Sequence, residues 1–118
     1  MKRTIACCFF AIVSNLAVAA EVTDYVTLNN ATVQILDKQA GKVQTITVPV
    51  GKTLKFGKLD ILVRKCLGTN EFLPEDFFMF SEIKKSGTKI FSGWMTKSEP
   101  GQNPLQDPDN DLWVVKCE

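Results

Sequence analysis

The sequence predicts an all-β fold, a small single-domain antiparallel β-sandwich or barrel of about seven short strands. Two observations lead to this prediction. Apolar and polar residues alternate along most of the chain after residue 30, and no window sustains a helical period. Gly, Pro, Asn and Asp interrupt the alternation at short intervals, which is typical of sandwiches and barrels. We expect the all-β domain to span residues 31–118.

The predicted strands are seven alternating segments, at residues 32–36, 43–48, 54–56, 59–64, 77–84, 89–95 and 112–117. Gly41 lies in the turn between the first two, where a left-handed residue is favoured. Pro49 ends the second strand, because proline cannot donate to a β-ladder. Gly57 and Gly87 mark two further turns, and a long loop rich in Pro, Asn and Asp, residues 98–111, precedes the last strand.

Ahead of this domain, the chain has the layout of a secretory signal peptide. A Lys-Arg pair at residues 2–3 precedes an apolar run at residues 5–13, and residues 18–20 are small enough for cleavage. The apolar segment is shorter than the roughly 20 residues that cross a bilayer. We therefore expect residues 1–20 to be a cleaved signal peptide and residues 21–30 a flexible leader. The protein would be exported, and it would contact the membrane only through the cleaved signal.

Removal of the signal leaves two of the four cysteines, Cys66 and Cys117. In an oxidising compartment such a pair is expected to form a disulfide, the alternative being two buried free thiols. Cys66 falls out of phase with its predicted strand and is expected at a bulge or strand end. Trp113 alternates in step with Cys117, so we expect it to pack over the disulfide. A zinc site is disfavoured, because the chain has no His.

The charge balance argues against nucleic acid as a partner. The chain has 14 basic and 13 acidic residues, and loss of the signal leaves 12 basic residues against 13 acidic ones. Charges of both signs are interspersed, without the basic stripe that follows a phosphate backbone.

Few residues in the sequence suit catalysis. Without His, the commonest general base and the Ser–His and Cys–His nucleophile pairs are missing, and no cofactor is predicted. Asp107, Asp109 and Asp111 resemble part of a calcium loop and are weak metal candidates. However, Leu112 stands where that loop needs Gly, so an Asx-type turn into the last strand explains these carboxylates better.

Aromatic residues are the better functional clue. Residues 77–80 place Phe77 and Met79 on one face of a strand and two further phenylalanines on the other. One face must be core, whereas the second is either another core contact in a closed barrel or an exposed patch for a partner. The residues that we predict to contact a partner are Phe72, Phe78, Phe80 and Trp94.

Several segments together resemble a known family. They are Val48-Pro49-Val50-Gly51, Phe56-Gly57, Val63-Arg64-Lys65-Cys66, Ile90-Phe91-Ser92-Gly93-Trp94-Met95, Asn103-Pro104-Leu105 and Asp111-Leu112-Trp113-Val114-Val115-Lys116-Cys117. In this order they resemble the secreted alphaproteobacterial family of domains of unknown function numbered 2155, over residues 31–117. The chain departs from the family at Asp107 and Asn110, where the family tends to have His and Tyr. The resemblance implies a Gram-negative periplasmic setting and brings no assigned activity.

Two classes of function follow from the sequence. The leading hypothesis is an exported periplasmic module without enzymatic activity, which binds an envelope protein or a glycan. Its more specific form is a small inhibitor of a lytic enzyme, by analogy with other compact exported β domains. The alternative is a carboxylate-based hydrolase or a calcium-binding module that uses residues 107–111.

After export, the mature chain is expected to begin at Ala20 or Glu21, because the small residues just before this point suit signal cleavage. Measurement of the intact mass of the protein recovered from the periplasm identifies the N-terminus directly. A mass that still includes residues 1–20 would contradict the signal assignment.

Overall fold

A computed structural model describes residues 24–118, so the predicted signal peptide, residues 1–20, lies outside the described residues. The described part contains eight strands in two antiparallel sheets. The strands are β1 (Tyr25–Leu28), β2 (Asn30–Asp37), β3 (Lys42–Pro49), β4 (Thr53–Phe56), β5 (Leu59–Thr69), β6 (Phe77–Lys85), β7 (Thr88–Thr96) and β8 (Asn110–Cys117). None of residues 24–118 belongs to a helix that could cross a membrane. The predicted all-β fold class is confirmed, and its form is a two-sheet sandwich.

The larger sheet is organised around β5, which is eleven residues long. Along one edge of β5 runs β6, and β7 pairs with the far side of β6. Along the other edge, β4 pairs with the first half of β5 and β1 with the second half. The smaller sheet has the order β3-β2-β8. Gly41 has a φ of 65° in the turn between β2 and β3, as the predicted turn requires.

Residues 25–28 differ from the sequence-based expectation. They were expected within a flexible leader at residues 21–30, but they form β1, with Tyr25 opposite Thr69 and Leu28 opposite Cys66. Four residues carry too little alternation to predict a strand alone. The strand exists because the long β5 offers it a ladder and because Leu28 packs against the core.

The hydrophobic core lies between the two sheets. Its fully buried side chains come from alternate positions of facing strands, and the largest are Val33, Ile35, Val48, Leu59, Ile61, Val63, Met79, Ile83 and Val114. Leu105, from the loop between β7 and β8, is also buried and joins this cluster. The loop therefore closes one side of the sandwich.

Two β-bulges decide which side chains face the core near the cysteines. In β5 the register shifts between Val63 and Lys65, so Val63 and Cys66 are both buried, and the predicted bulge near Cys66 is confirmed. In β8 the register shifts around Val115. Because a bulge reverses the alternation that follows it, Val114 and Cys117 both face inward.

The bulge in β8 overturns one expectation. Trp113 was expected to pack over the disulfide, but it faces the opposite side of the sheet from Cys117 and is half-buried. Its indole N–H donates to the side-chain oxygen of Gln34 at 3.0 Å. The expectation was wrong because it assumed an unbroken alternation from Trp113 to Cys117.

Cys66 and Cys117 form a disulfide that joins the two sheets, with their Cα atoms 5.6 Å apart. Cys66 belongs to β5, at the centre of the larger sheet, and Cys117 ends β8 of the smaller one. The two cysteines are 51 residues apart in the chain. A loop of this length makes the cross-link stabilising, because it removes many conformations from the unfolded chain.

Cys117→Ser is expected to lower the free energy of unfolding by about 2–5 kcal/mol, because it reopens the cross-linked loop. Urea unfolding at neutral pH measures the change. Cys66→Ser should cost a similar amount, and the double variant should cost little more, since all three remove the same bond. A loss smaller than about 1 kcal/mol would show that the pair is not a structural cross-link.

Candidate functional site

The candidate binding site lies on the outer side of the larger sheet. In β6, Phe77 and Met79 are buried in the core, whereas Phe78 and Phe80 face the opposite side of the sheet. Phe78 and Phe80 are half-buried by their neighbours on this outer side. Their face is therefore a surface of the sandwich. The structure does not support the alternative, in which this face would line the interior of a closed barrel.

Four rings on this surface form two edge-to-face pairs. Phe80 lies opposite Trp94 on β7, with ring centroids 5.3 Å apart and an interplanar angle of 67°. Phe78 contacts Tyr25 of β1, with centroids 5.2 Å apart and an angle of 83°. Tyr25 is 48% exposed and Trp94 is 42% exposed, so both pairs remain open to solvent. We call these four residues the aromatic face.

Phe72, the fourth predicted contact residue, stands apart from the aromatic face. It lies in the loop between β5 and β6 and is 85% exposed. Its backbone N–H donates to the side-chain oxygen of Asn70 at 3.0 Å, which fixes the loop as an Asx turn. Among residues 24–118, the aromatic ring pairs do not include Phe72.

Tyr25 is the member of the aromatic face that the sequence analysis missed. It was placed in the leader, where a single aromatic residue has no predicted neighbour. Only the pairing of β1 with β5, which sets Tyr25 opposite Thr69, brings its ring beside Phe78. The alternation of Tyr25-Val26-Thr27-Leu28 is the one signal that could have indicated a strand here.

The carboxylates of the second candidate site are held by lysines. The ammonium group of Lys85 donates to both oxygens of Asp107, at 2.8 and 3.1 Å, and to Asp109 at 2.5 Å. Lys38 pairs with Asp111 at 3.0 Å and also donates to the backbone carbonyl of Asp107 at 2.8 Å. Within residues 24–118, no group of three or more His, Cys, Asp or Glu side chains is placed to hold a metal ion.

Asp107 also forms the Asx-type turn that was predicted before the last strand. One of its oxygens accepts hydrogen bonds from the backbone N–H groups of Asp109, at 3.3 Å, and Asn110, at 3.0 Å. Asp107 is only 5% exposed, although it is a carboxylate. Its hydrogen bonds to the turn and to Lys85 compensate for this burial.

These contacts decide the chemistry of the carboxylate cluster. Burial alone would raise the pKa of Asp107, but hydrogen bonds from Lys85 and Asn110 and the charge of Lys85 lower it below its ordinary value. Hydrogen bonds to Asp107 and then Asp109 raise the pKa of Lys85 above its ordinary value. A general acid or base needs a pKa near the working pH, whereas both of these pKa values move away from neutrality. The cluster therefore acts as a structural clamp between β6 and the β7–β8 loop.

The space beside this clamp is small and open to solvent. An open depression of about 250 Å³ is lined by Phe56, Gly57, Lys85 and Asp109, among others. Ligand pockets usually enclose about 300–1,000 Å³ and bury most of the ligand surface. The aromatic face is therefore the stronger candidate site.

Asp107→Asn is expected to lower the free energy of unfolding at pH 7 by about 2 kcal/mol, because the turn loses a charged acceptor. Because folding lowers the pKa of Asp107, the free energy of unfolding also depends on pH in the acidic range. The ionised Asp107 stabilises the fold at pH values above its ordinary pKa of 3.8. This stabilisation is lost as the pH falls through the lower pKa that Asp107 has in the folded protein. Urea unfolding at a series of pH values measures both effects.

The matched control for this variant is Asp111→Asn, since the carboxylate of Asp111 is 42% exposed and its ion pair with Lys38 lies at the surface. Surface ion pairs contribute little to stability, so this change should be nearly neutral. The Asp107→Asn variant should lose less stability below pH 4 than the wild type does. Parallel pH profiles for the two proteins would contradict the role assigned to Asp107.

Comparison with known proteins identifies a family without an assigned activity. Residues 31–117 match the family described as "Uncharacterized protein conserved in bacteria (DUF2155)". No curated protein and no solved structure matches the chain. The match covers both sheets from β2 to β8, including the disulfide and most of the aromatic face. The chain therefore belongs to this bacterial family of uncharacterized proteins.

Proposed function

We propose that this chain is an exported binding module without enzymatic activity, and that it holds a protein partner on its aromatic face. The observation that carries the proposal is the set of four partly exposed rings on the solvent side of β1, β6 and β7. Clustered apolar side chains on a surface commonly mark interaction sites, and aromatic residues dominate the energetics of protein interfaces.

Buried core residues and the disulfide lie against the strand that carries two rings of the aromatic face. Phe78 and Phe80 flank Met79, which is fully buried and lies opposite Cys66 in the ladder. Cys117 Sγ lies 3.8 Å from the backbone carbonyl oxygen of Phe78, so the disulfide contacts the strand that carries these two rings. Leu67, opposite Phe78 on β5, continues the apolar surface on the outer side. A surface held in this way loses little conformational entropy on binding, which favours affinity.

The ring geometry favours a protein over a glycan. The two interplanar angles are 83° and 67°, so each pair presents the edge of one ring beside the face of the other. Sugar rings stack best on flat aromatic faces that lie parallel to the surface. Crossed rings instead form a corrugated surface, on which aliphatic and aromatic side chains of a partner protein can pack.

The expected compartment is the periplasm of a Gram-negative cell, and the partner would then be an envelope protein. The signal layout of residues 1–20 supports export, and a buried disulfide suits an oxidising compartment. Inhibition of a lytic enzyme is the more specific form of the proposal. It would be tested by adding the purified protein to a cell-wall digestion assay.

The carboxylate cluster has less support as a functional centre. A carboxylate-based hydrolase or a calcium-binding module would need Asp107 and Asp109 free to act, whereas Lys85 occupies both. Calcium that bound only the folded protein would raise its free energy of unfolding by RT ln(1 + [L]/Kd), and its melting temperature would rise as a result. A calcium-dependent rise that was lost in Asp109→Asn would favour this alternative.

Trp94→Ala is expected to weaken capture of the partner by tenfold or more, because exposed aromatic residues are typical anchors of interfaces. The free energy of unfolding should change by only about 1 kcal/mol, since the side chain is 42% exposed. The measurement is capture from envelope extract by immobilised protein, with titration of the captured protein after its identification.

Trp113→Ala is the matched control, because it removes the same residue type from the outer side of the other sheet. It should retain capture, although it loses a hydrogen bond to Gln34. Equal capture by wild type and Trp94→Ala would reject the aromatic face as the binding site. Binding to purified peptidoglycan that depended on Trp94 would replace the protein partner with a glycan.

A further inference from the structure

The strand β3 presents an open edge of the smaller sheet. It pairs with β2 on one side, in a register that includes all eight of its residues without a bulge. Its only charged residue, Lys42, stands at its start, and its only proline, Pro49, stands at its end. Natural edge strands are usually protected from pairing by internal charges, prolines, bulges or short length. The middle of β3 has none of these features.

The hydrogen bonds of β2 reveal which peptide groups of β3 face outward. The backbone N–H and C=O of Asn30 both bond to Glu118, on the side of β8, so Asn30 forms a non-hydrogen-bonded pair with Pro49. Bonded and non-bonded pairs alternate along an antiparallel ladder. Lys42 is therefore in a bonded pair with Asp37, and the N–H of Gly41 donates to Asp37 at the same end. The residues whose N–H and C=O groups face the open edge are Val43, Thr45 and Thr47.

The other edge strands of the described sandwich are short, or they are interrupted by bulges and charges. β1 and β4 have four residues each. On β7, the outward carbonyl of Trp94 accepts a hydrogen bond from the side chain of Asn103 at 3.0 Å. The same loop lines an open depression with Leu112 and Trp113 of β8. Both strands are also interrupted: β7 has a bulge beside Lys89, and β8 has a bulge at Val115 beside Lys116. Of the edge strands that the structure describes, β3 is thus the longest without a bulge or an internal charge.

We propose that two copies of this chain pair through β3 in an antiparallel, two-fold symmetric arrangement centred on Thr45. In this register Thr45 lies opposite Thr45 of the second copy, and Val43 lies opposite Thr47 in both directions. All three pairs are bonded pairs, each exchanging two hydrogen bonds. The two three-stranded sheets then form one continuous sheet.

Charge and side-chain pairing favour a second copy as the occupant of this edge. The symmetric register sets Lys42 against Val48, so no like charges meet along the junction. Thr–Thr and Thr–Val pairs across antiparallel strands are stabilising. The outer side chains of the junction are exposed in the single chain, with Val43 at 52%, so pairing would cover them. The aromatic face lies on the other sheet, and the pairing does not depend on its proposed partner.

The first test measures the mass of the protein, purified as the cell processes it, by sedimentation over a range of concentrations. The wild type should reach twice the monomer mass, and Thr45→Pro should remain monomeric, because proline removes an N–H that faces the open edge. Ser92→Pro is the matched control and should dimerise, since it removes an outward N–H from β7 instead. A wild type that stays monomeric at a concentration on the order of 1 mM would overturn the proposal.

The second test changes only a side chain, so it does not depend on tolerance of proline. Thr45→Glu and Thr45→Lys each place like charges opposite one another across the symmetric junction, and each should raise the dissociation constant tenfold or more. An equimolar mixture of the two variants should dimerise, because opposite charges then meet. Circular dichroism of each variant alone checks that it is folded. Dimers that persist in both single variants, or a mixture that stays monomeric, would overturn the register centred on Thr45.

Discussion

The Cys66–Cys117 disulfide is the interaction on which the rest of this structure depends. It joins β5, which carries the larger sheet, to β8 at the edge of the smaller sheet. A domain of this size buries a limited apolar core, so a cross-link between layers contributes a large share of its stability. Both cysteines reach the core only because a bulge in each strand turns them inward. The two bulges therefore make the disulfide between the sheets possible.

The sandwich separates its apolar side chains into two groups with different roles. Along β6, Phe77, Met79 and Ile83 fill the core, whereas Phe78 and Phe80 lie outside. The outer rings pack edge to face, which covers part of their area without removing them from solvent. Among residues 24–118, Asp107 is the one buried carboxylate, and it is held by Lys85 and by backbone N–H groups. The buried charge therefore stabilises the fold, and the aromatic face is the surface that we propose for recognition.

The two proposed contact surfaces belong to different sheets. The aromatic face lies on β1, β6 and β7, and the open edge belongs to β3. A dimer through β3 would carry two aromatic faces, and linked binding sites raise the effective affinity for a partner that offers two copies of its own surface. This arrangement would allow a small module to hold a repetitive or oligomeric partner with modest affinity at each face.

The sequence by itself determined the strand content, the turns and the candidate cysteine pair. Alternation with period two is a local property, so β2 to β8 could be predicted from their own residues. It also identified Phe78 and Phe80 as sharing one face, although it left open whether that face was core or surface. The tertiary structure decided what depends on distant partners. Tyr25 joins the aromatic face because β5 pairs with β1, and Trp113 turns away from Cys117 because a bulge at Val115 reverses the alternation. Lys85 meets Asp107 because the β7–β8 loop folds back over the end of β6. Strand pairing, the bulge in β8 and the ion pairs are set by residues far apart in the chain, so local patterns did not predict them.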